Sequence, residues 1–187
     1  MASRLRFNTA SEVFEAFPTA YEDITASPNA DHPLRFLEGL LSSPVPEEAI
    51  TFCAYMLPRR EAVWWARQCV TYNGAELSAE EQDLVAIADA WVRDPDEENR
   101  VQALRAGMNA RVKSAGAWVA LAAGWSGGSM ALDAEHPVPP PPHLTAKASN
   151  AAVLSALARV STQQRAEYLS AFVDGGIKLV ADNGQSA

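Results

Sequence analysis

Apolar residues recur at three- and four-residue spacing along most of this chain, and no stretch alternates with the period of two that a half-buried strand requires. The pattern predicts helices throughout. A first one covers Ala10–Phe17, with Thr9 or Ser11 as cap and Pro18 as its stop. A second opens at Pro33 behind an Asp31 cap and carries Leu34, Leu37, Leu40 and Leu41 on one face. After the break Ser42–Pro46, Glu47 and Glu48 stand in the first turn of a third, where carboxylates suit the positive end of the helix dipole. Its apolar residues, Ile50, Phe52, Cys53, Tyr55, Met56 and Leu57, surround most of the wheel, so burial on more than one side is expected. Pro58 restarts the chain into Arg59–Tyr72, whose core stripe is Ala62, Trp65, Ala66, Cys69 and Val70.

Ser78-Ala79-Glu80-Glu81 is a capping box opening a helix with Leu84, Val85, Ala88, Trp91 and Val92 at helical spacing. Asp94-Pro95-Asp96 reads as cap and first-turn proline for the next, which runs through Val101, Leu104 and Met108 and is expected to bend near Gly107. An alanine-rich stretch, about Lys113–Trp125, continues it or stands separately. Gly127-Gly128 ends that run, and residues 126–147, with Pro137 and the four prolines Pro139–Pro142, read as a semi-rigid linker. Two amphipathic helices follow, Ala148–Val160 and Thr162–Val180, and the tail from Asp182 is polar. The expected fold is all-α: an irregular bundle or short α-α solenoid-like stack of about eight helices, with the proline-rich linker before the last two. The domain reading is residues 1–126, a linker at 127–147, and a helical pair at 148–181 packing on the same domain.

Composition sharpens this picture. The 187 residues are 48% hydrophobic and 20% charged, an ordinary globular balance. A chain of this size buries about 70% of its unfolded surface, enough for a core without disulfides or metals. Alanine dominates the apolar residues, and alanine both favours helix and lets helices approach closely. The formal net charge is −8, and the lysines Lys113, Lys147 and Lys178 are scattered. Arg4 and Arg6 near the start and the Arg59-Arg60 pair form no basic stripe, so nucleic-acid binding is not expected. No apolar run has signal-peptide or membrane-spanning length, the best, Ala115–Trp125, being about half that needed. A cytoplasmic protein without membrane contact is expected. Cys53 and Cys69 stand on consecutive helices with an axial offset of roughly 9 Å, so buried thiols are expected rather than a disulfide.

Two stretches, Pro46–Ala66 with its Leu57-Pro58-Arg59-Arg60-Glu61-Ala62-Val63-Trp64-Trp65 segment, and Gly127-Gly128-Ser129 followed by the proline run and Leu144–Ala148, resemble an uncharacterised helical domain family of proteobacteria. Members are encoded beside type VI secretion components and their effectors. The resemblance implies a cytoplasmic accessory role, helping to load or stabilise a secreted effector, and it supplies no catalytic or binding residues.

Candidate chemistry is sparse. Gly124-Trp125-Ser126-Gly127-Gly128 matches the Gly-x-Ser-x-Gly pattern, which needs a strand before the serine and a helix after it. Here an alanine-rich helix precedes and a linker follows, so a helix stop is the favoured reading over a hydrolase using Ser126 with His136, His143 and Asp133. Asp133, Glu135, His136 and His143 are too loosely spaced for a metal site, and His32 reads as a turn residue. No catalytic residue, metal or cofactor is expected. The Arg59-Arg60…Trp64-Trp65 segment is the most informative cluster. Adjacent helical residues point about 100° apart. Trp65 therefore joins the core stripe, while Trp64 lines up with Arg60 and Gln68. Arginines at a helix start run against the dipole, so something else must favour them. One reading has Arg59 and Arg60 hold a partner's carboxylates with Trp64 as anchor. The plainer one, favoured on sequence alone, has another helix cover Trp64 while the arginines pair with local acids such as Glu61.

The proline linker is read as a strap across its own domain rather than a ligand for a partner's groove. The sequence thus points to a non-enzymatic adaptor or co-chaperone-like protein that binds another protein, which the resemblance implies to be a secreted effector or its chaperone. The alternatives are the serine hydrolase and a self-assembling structural subunit. The oligomeric state is left open.

Overall fold

The computed structural model describes residues 5–132 and 135–181. Among them every regular element is helical, as the periodicity predicts. The helices are α1 (Ala10–Ala16), α2 (Ala20–Asp23), α3 (Pro33–Leu41), α4 (Glu48–Met56), α5 (Arg59–Val70), α6 (Ala79–Arg93), α7 (Glu97–Asn109), α8 (Ala115–Gly124), α9 (Leu144–Leu157) and α10 (Arg165–Ala181). The sequence reading merges α7 with α8 or leaves them apart; they are separate. It misses α2, a single turn too short to show a period. Arg4, Asp133 and the tail from Asp182 lie outside the described residues.

The chain forms two compact units, one from residues up to Pro58 together with those from Val160 onward, the other Arg59–Arg159. The last two helices therefore part company: α9 belongs to the second unit and α10 to the first.

In the first unit, α4 is buried along its whole length, from Glu48 to Met56, as its all-round apolar wheel requires. Phe52 lies 4.9 Å from Phe36 and 6.1 Å from Phe14 between ring centroids, and Phe17 packs on Tyr55 at 5.5 Å. Glu48 does more than face a dipole. Its buried carboxylate accepts the Thr25 amide at 2.8 Å and the Thr25 hydroxyl at 2.6 Å, tying the loop after α2 to the start of α4. The buried Tyr55 hydroxyl donates to Asp23 at 2.6 Å. Burial, and then that hydrogen bond, push its pKa up. Arg165 of α10 reaches Glu47 at 3.2 Å. Burial also raises the Cys53 thiol, in keeping with the inert core cysteine expected.

Two expected caps move. His32, not Asp31, caps α3: its Nδ1 accepts the Leu34 amide at 3.3 Å. The Asp31 carbonyl is engaged instead by the Ala10 amide at the start of α1, at 2.9 Å. Asp96, not Asp94, caps α7, accepting the Asn99 amide at 2.7 Å. The Asp94 amide closes α6 on the Ala90 carbonyl, and α7 starts only at Glu97, so the cap position falls on Asp96.

The second unit is organised around α8, nine of whose ten residues, Trp118 excepted, are buried. It packs against α5, α6, α7 and α9. Alanine and glycine make this possible: Leu84, Ala117 and Ala120 form a small core cluster on which Ala106 and Ala110 rest. A Cβ on Gly124 stands 2.5 Å from Leu104 Cα and 2.8 Å from Leu104 N, so only glycine lets α7 and α8 come this close. Lys113 closes α7 by donating to the Gly107 and Met108 carbonyls at 2.8 and 3.0 Å. The Ser78–Glu81 capping box forms as read. Glu81 is buried and also binds Arg159, which follows α9, at 2.6 Å.

Candidate functional site

The buried face of α5 carries Ala62, Val63, Trp65, Ala66, Cys69 and Val70, and α9, α8 and α6 pack on this helix. Trp65 is 1% exposed and Trp64 is 42% exposed. The plainer sequence reading, in which another helix covers Trp64, is corrected: Trp64 lies near the middle of the uncovered arc of α5. The wheel places Arg60 one turn before it and Arg67 and Gln68 one turn after.

The arginine doublet divides. Arg60 donates from Nε to the Val92 carbonyl at 2.7 Å and from Nη2 to the Arg93 carbonyl at 3.4 Å, closing the end of α6. Arg59, about 100° around the helix, donates from Nη1 to the Ser126 carbonyl at 2.7 Å, just past the end of α8. Both guanidiniums thus satisfy carbonyls that a helix leaves without intrahelical partners, at the negative ends of two neighbouring helices. This supplies the compensation that arginines at a helix start require. The hydrogen bonds seen from the two guanidiniums go to backbone carbonyls, beyond the local acids that the sequence offered.

Sequence reasoning missed the rest of the cluster. Asp89 on α6 lies between two guanidiniums, 2.7 Å from Arg93 Nη2 and 3.3 Å from Arg67 Nε. The second is a charge contact not aligned as a hydrogen bond. Arg67 was visible on the wheel at three residues from Trp64, and Asp89–Arg93 as a helical i,i+4 pair. That the pair faces α5 depends on how α5 and α6 pack, which no local pattern encodes. Trp64 therefore stands on a ridge bearing Arg60, Arg67 and Arg93, with Asp89 as the acid between the last two.

The Gly-x-Ser-x-Gly segment has a structural account. What precedes Ser126 is α8, a helix, so the strand and elbow that expose a nucleophile are not formed there. Gly124 is fixed by the approach of Leu104. Gly128 adopts φ +57°, and a Cβ on it stands 2.7 Å from the Arg100 guanidinium. Arg100 is held on several sides. It is buried, paired in two-pronged fashion with Glu97 at 2.6 and 2.7 Å, and donates from Nη1 to the Gly124 carbonyl at 2.6 Å and the Ser129 carbonyl at 3.1 Å. The guanidinium beside it holds the Glu97 carboxyl below the usual carboxylate range.

The linker turns back on itself at Ser129. The Ser129 hydroxyl oxygen accepts the Ala131 and Val138 amides, both at 3.0 Å, and the Met130 amide donates to the Val138 carbonyl at 2.8 Å. His143 is the residue preceding α9, and the Thr145 hydroxyl donates to the Trp125 carbonyl at 3.1 Å. Among the described residues no group of three or more His, Cys, Asp or Glu side chains is placed to hold a metal, and Asp133 lies outside them. Among those residues, too, no helix is long and apolar enough to cross a membrane.

No curated protein and no solved structure matches this chain. A family model described as a family of unknown function (DUF6931) matches residues 36–180, which takes in α5 with Trp64, the Arg100 cradle and the turn at Ser129. By that match over most of its length, the chain belongs to the DUF6931 family.

Proposed function

We propose that this protein is a non-enzymatic interaction module, an adaptor or co-chaperone-like accessory protein that binds another protein through the Trp64 ridge of α5. The observation that carries the reading is the pairing of an exposed indole with exposed arginines on a helix otherwise packed on three sides. Tryptophan and arginine are the side chains most enriched where binding energy concentrates. Arg60 is both a brace for α6 and a guanidinium one turn from Trp64 along the helix; Arg59 contributes by fixing the start of α5 against the end of α8. The resemblance drawn from Pro46–Ala66 and Gly127–Ala148 supports a cytoplasmic accessory role in a proteobacterium, with a type VI secretion effector or its chaperone as the proposed partner.

The test is a photo-crosslinking amino acid placed at position 64, with exposed Gln102 on α7 as the control position, in cells of the source organism. A discrete protein adduct formed from position 64 and not from 102 is the expected result. Adducts that are absent, or equal at the two positions, overturn the reading.

A further inference from the structure

We propose that the Trp64 ridge takes an acidic segment of its protein partner, with two carboxylates straddling an apolar residue that covers the indole. This rests on the reading of the ridge as a protein contact and names the chemistry of what binds there. The surface is unlike the rest of the chain: acids outnumber bases 23 to 15 overall, yet on this ridge three arginines, Arg60, Arg67 and Arg93, outnumber two acids, Asp89 and Glu61. Asp89, between Arg67 and Arg93, shows that the two guanidiniums are already set to receive a carboxylate, and an incoming one competes for the same donors.

Arg60 and Arg67 lie seven residues apart on one helix, roughly 10 Å along its axis. Their partners' carboxylates therefore stand about that far apart, one on each side of the indole. Guanidinium stacks on and beside aromatic faces while still donating to carboxylates, so the three groups act as one surface. A long polyanion fits less well. Asp94, Asp96, Glu97 and Glu98 follow directly on Arg93, and a continuous phosphate backbone that reached Arg93 meets them. A short segment with two acids ends before it meets that repulsion.

The experiment is selection of a displayed random dodecapeptide library on the intact chain, with subtraction on Trp64→Ala. Enriched peptides should carry Asp or Glu on both sides of an apolar residue. A representative labelled peptide should bind at least tenfold more weakly to Trp64→Ala and to Arg67→Ala, and about threefold more tightly to Asp89→Asn. Far-UV circular dichroism checks that each variant is folded. Enrichment of neutral or basic peptides, no enrichment over Trp64→Ala, or tighter binding of a twelve-nucleotide oligothymidylate than of any peptide overturns the proposal. If the position-64 crosslink succeeds while the library selects neutral peptides, the protein contact stands and its acidic character falls.

Discussion

Arg100 shows how one side chain organises several turns of chain. Its guanidinium holds the last carbonyl of α8, the Ser129 carbonyl and Glu97 together, and Gly128 is glycine because a Cβ there meets that guanidinium. Replacing it with alanine leaves two carbonyls short of their donor, at about 1–3 kcal/mol for each that stays buried. Arg100→Ala should therefore lower stability by on the order of 3 kcal/mol in urea titration, and Arg100→Lys by less, since it keeps the charge and loses the fork. Glu81 makes a pH-dependent contribution. Burial alone raises its pKa, but hydrogen bonds from Arg159 and the Ser78 amide, with the Arg159 charge, leave it below the ordinary carboxylate value. A carboxyl with a lowered folded pKa binds fewer protons when folded than when unfolded, so its stabilisation is present above the unfolded value and is lost as pH falls through the folded one. Glu81→Gln should accordingly be less stable than the parent at pH 7, with the gap narrowing as the pH is taken below the carboxylate range.

At the scale of elements, the helices themselves were legible, because apolar spacing reports which face is buried. The uniform wheel of α4 correctly marked a helix buried along its whole length. Capping was legible only where the preceding element imposed nothing. The Ser78–Glu81 box formed as read, whereas Asp94 lost its cap role to Asp96 because Asp94 closes α6 and α7 starts only at Glu97. The roles of Arg59 and Arg60 were illegible for a related reason: they cap other helices, and which helix ends come near is a property of packing. The wheel set Trp64 apart from the core face that Trp65 fills, but whether another helix covers it is decided by packing, and the reading favoured on sequence alone had it covered. Gly124 offers a test at this scale. Gly124→Ala sets a Cβ against the backbone of α7, which cannot move as a side-chain tip can, and should cost about 1–3 kcal/mol or more in thermal or urea denaturation. Ser126→Ala, next to it but engaged through its carbonyl by Arg59, should change stability by less than about 0.5 kcal/mol.

For the whole molecule, the chain enters the second unit at Arg59 and leaves it at Arg159, and within that span lies a bundle with its own core. The fragment Arg59–Arg159 should therefore fold alone, with a helical far-UV spectrum and a cooperative thermal transition; a spectrum without helix contradicts that. On this unit the proposed function rests on a single physical claim, that Trp64 faces solvent amid guanidinium groups. Collisional quenching of tryptophan fluorescence measures this directly, by comparing the parent chain with Trp64→Phe in iodide and in caesium. The parent should have an additional quenchable component that Trp64→Phe lacks, and iodide, drawn by the arginines, should quench it more strongly than caesium. Equal quenching of the two proteins, or stronger quenching by caesium, contradicts that claim.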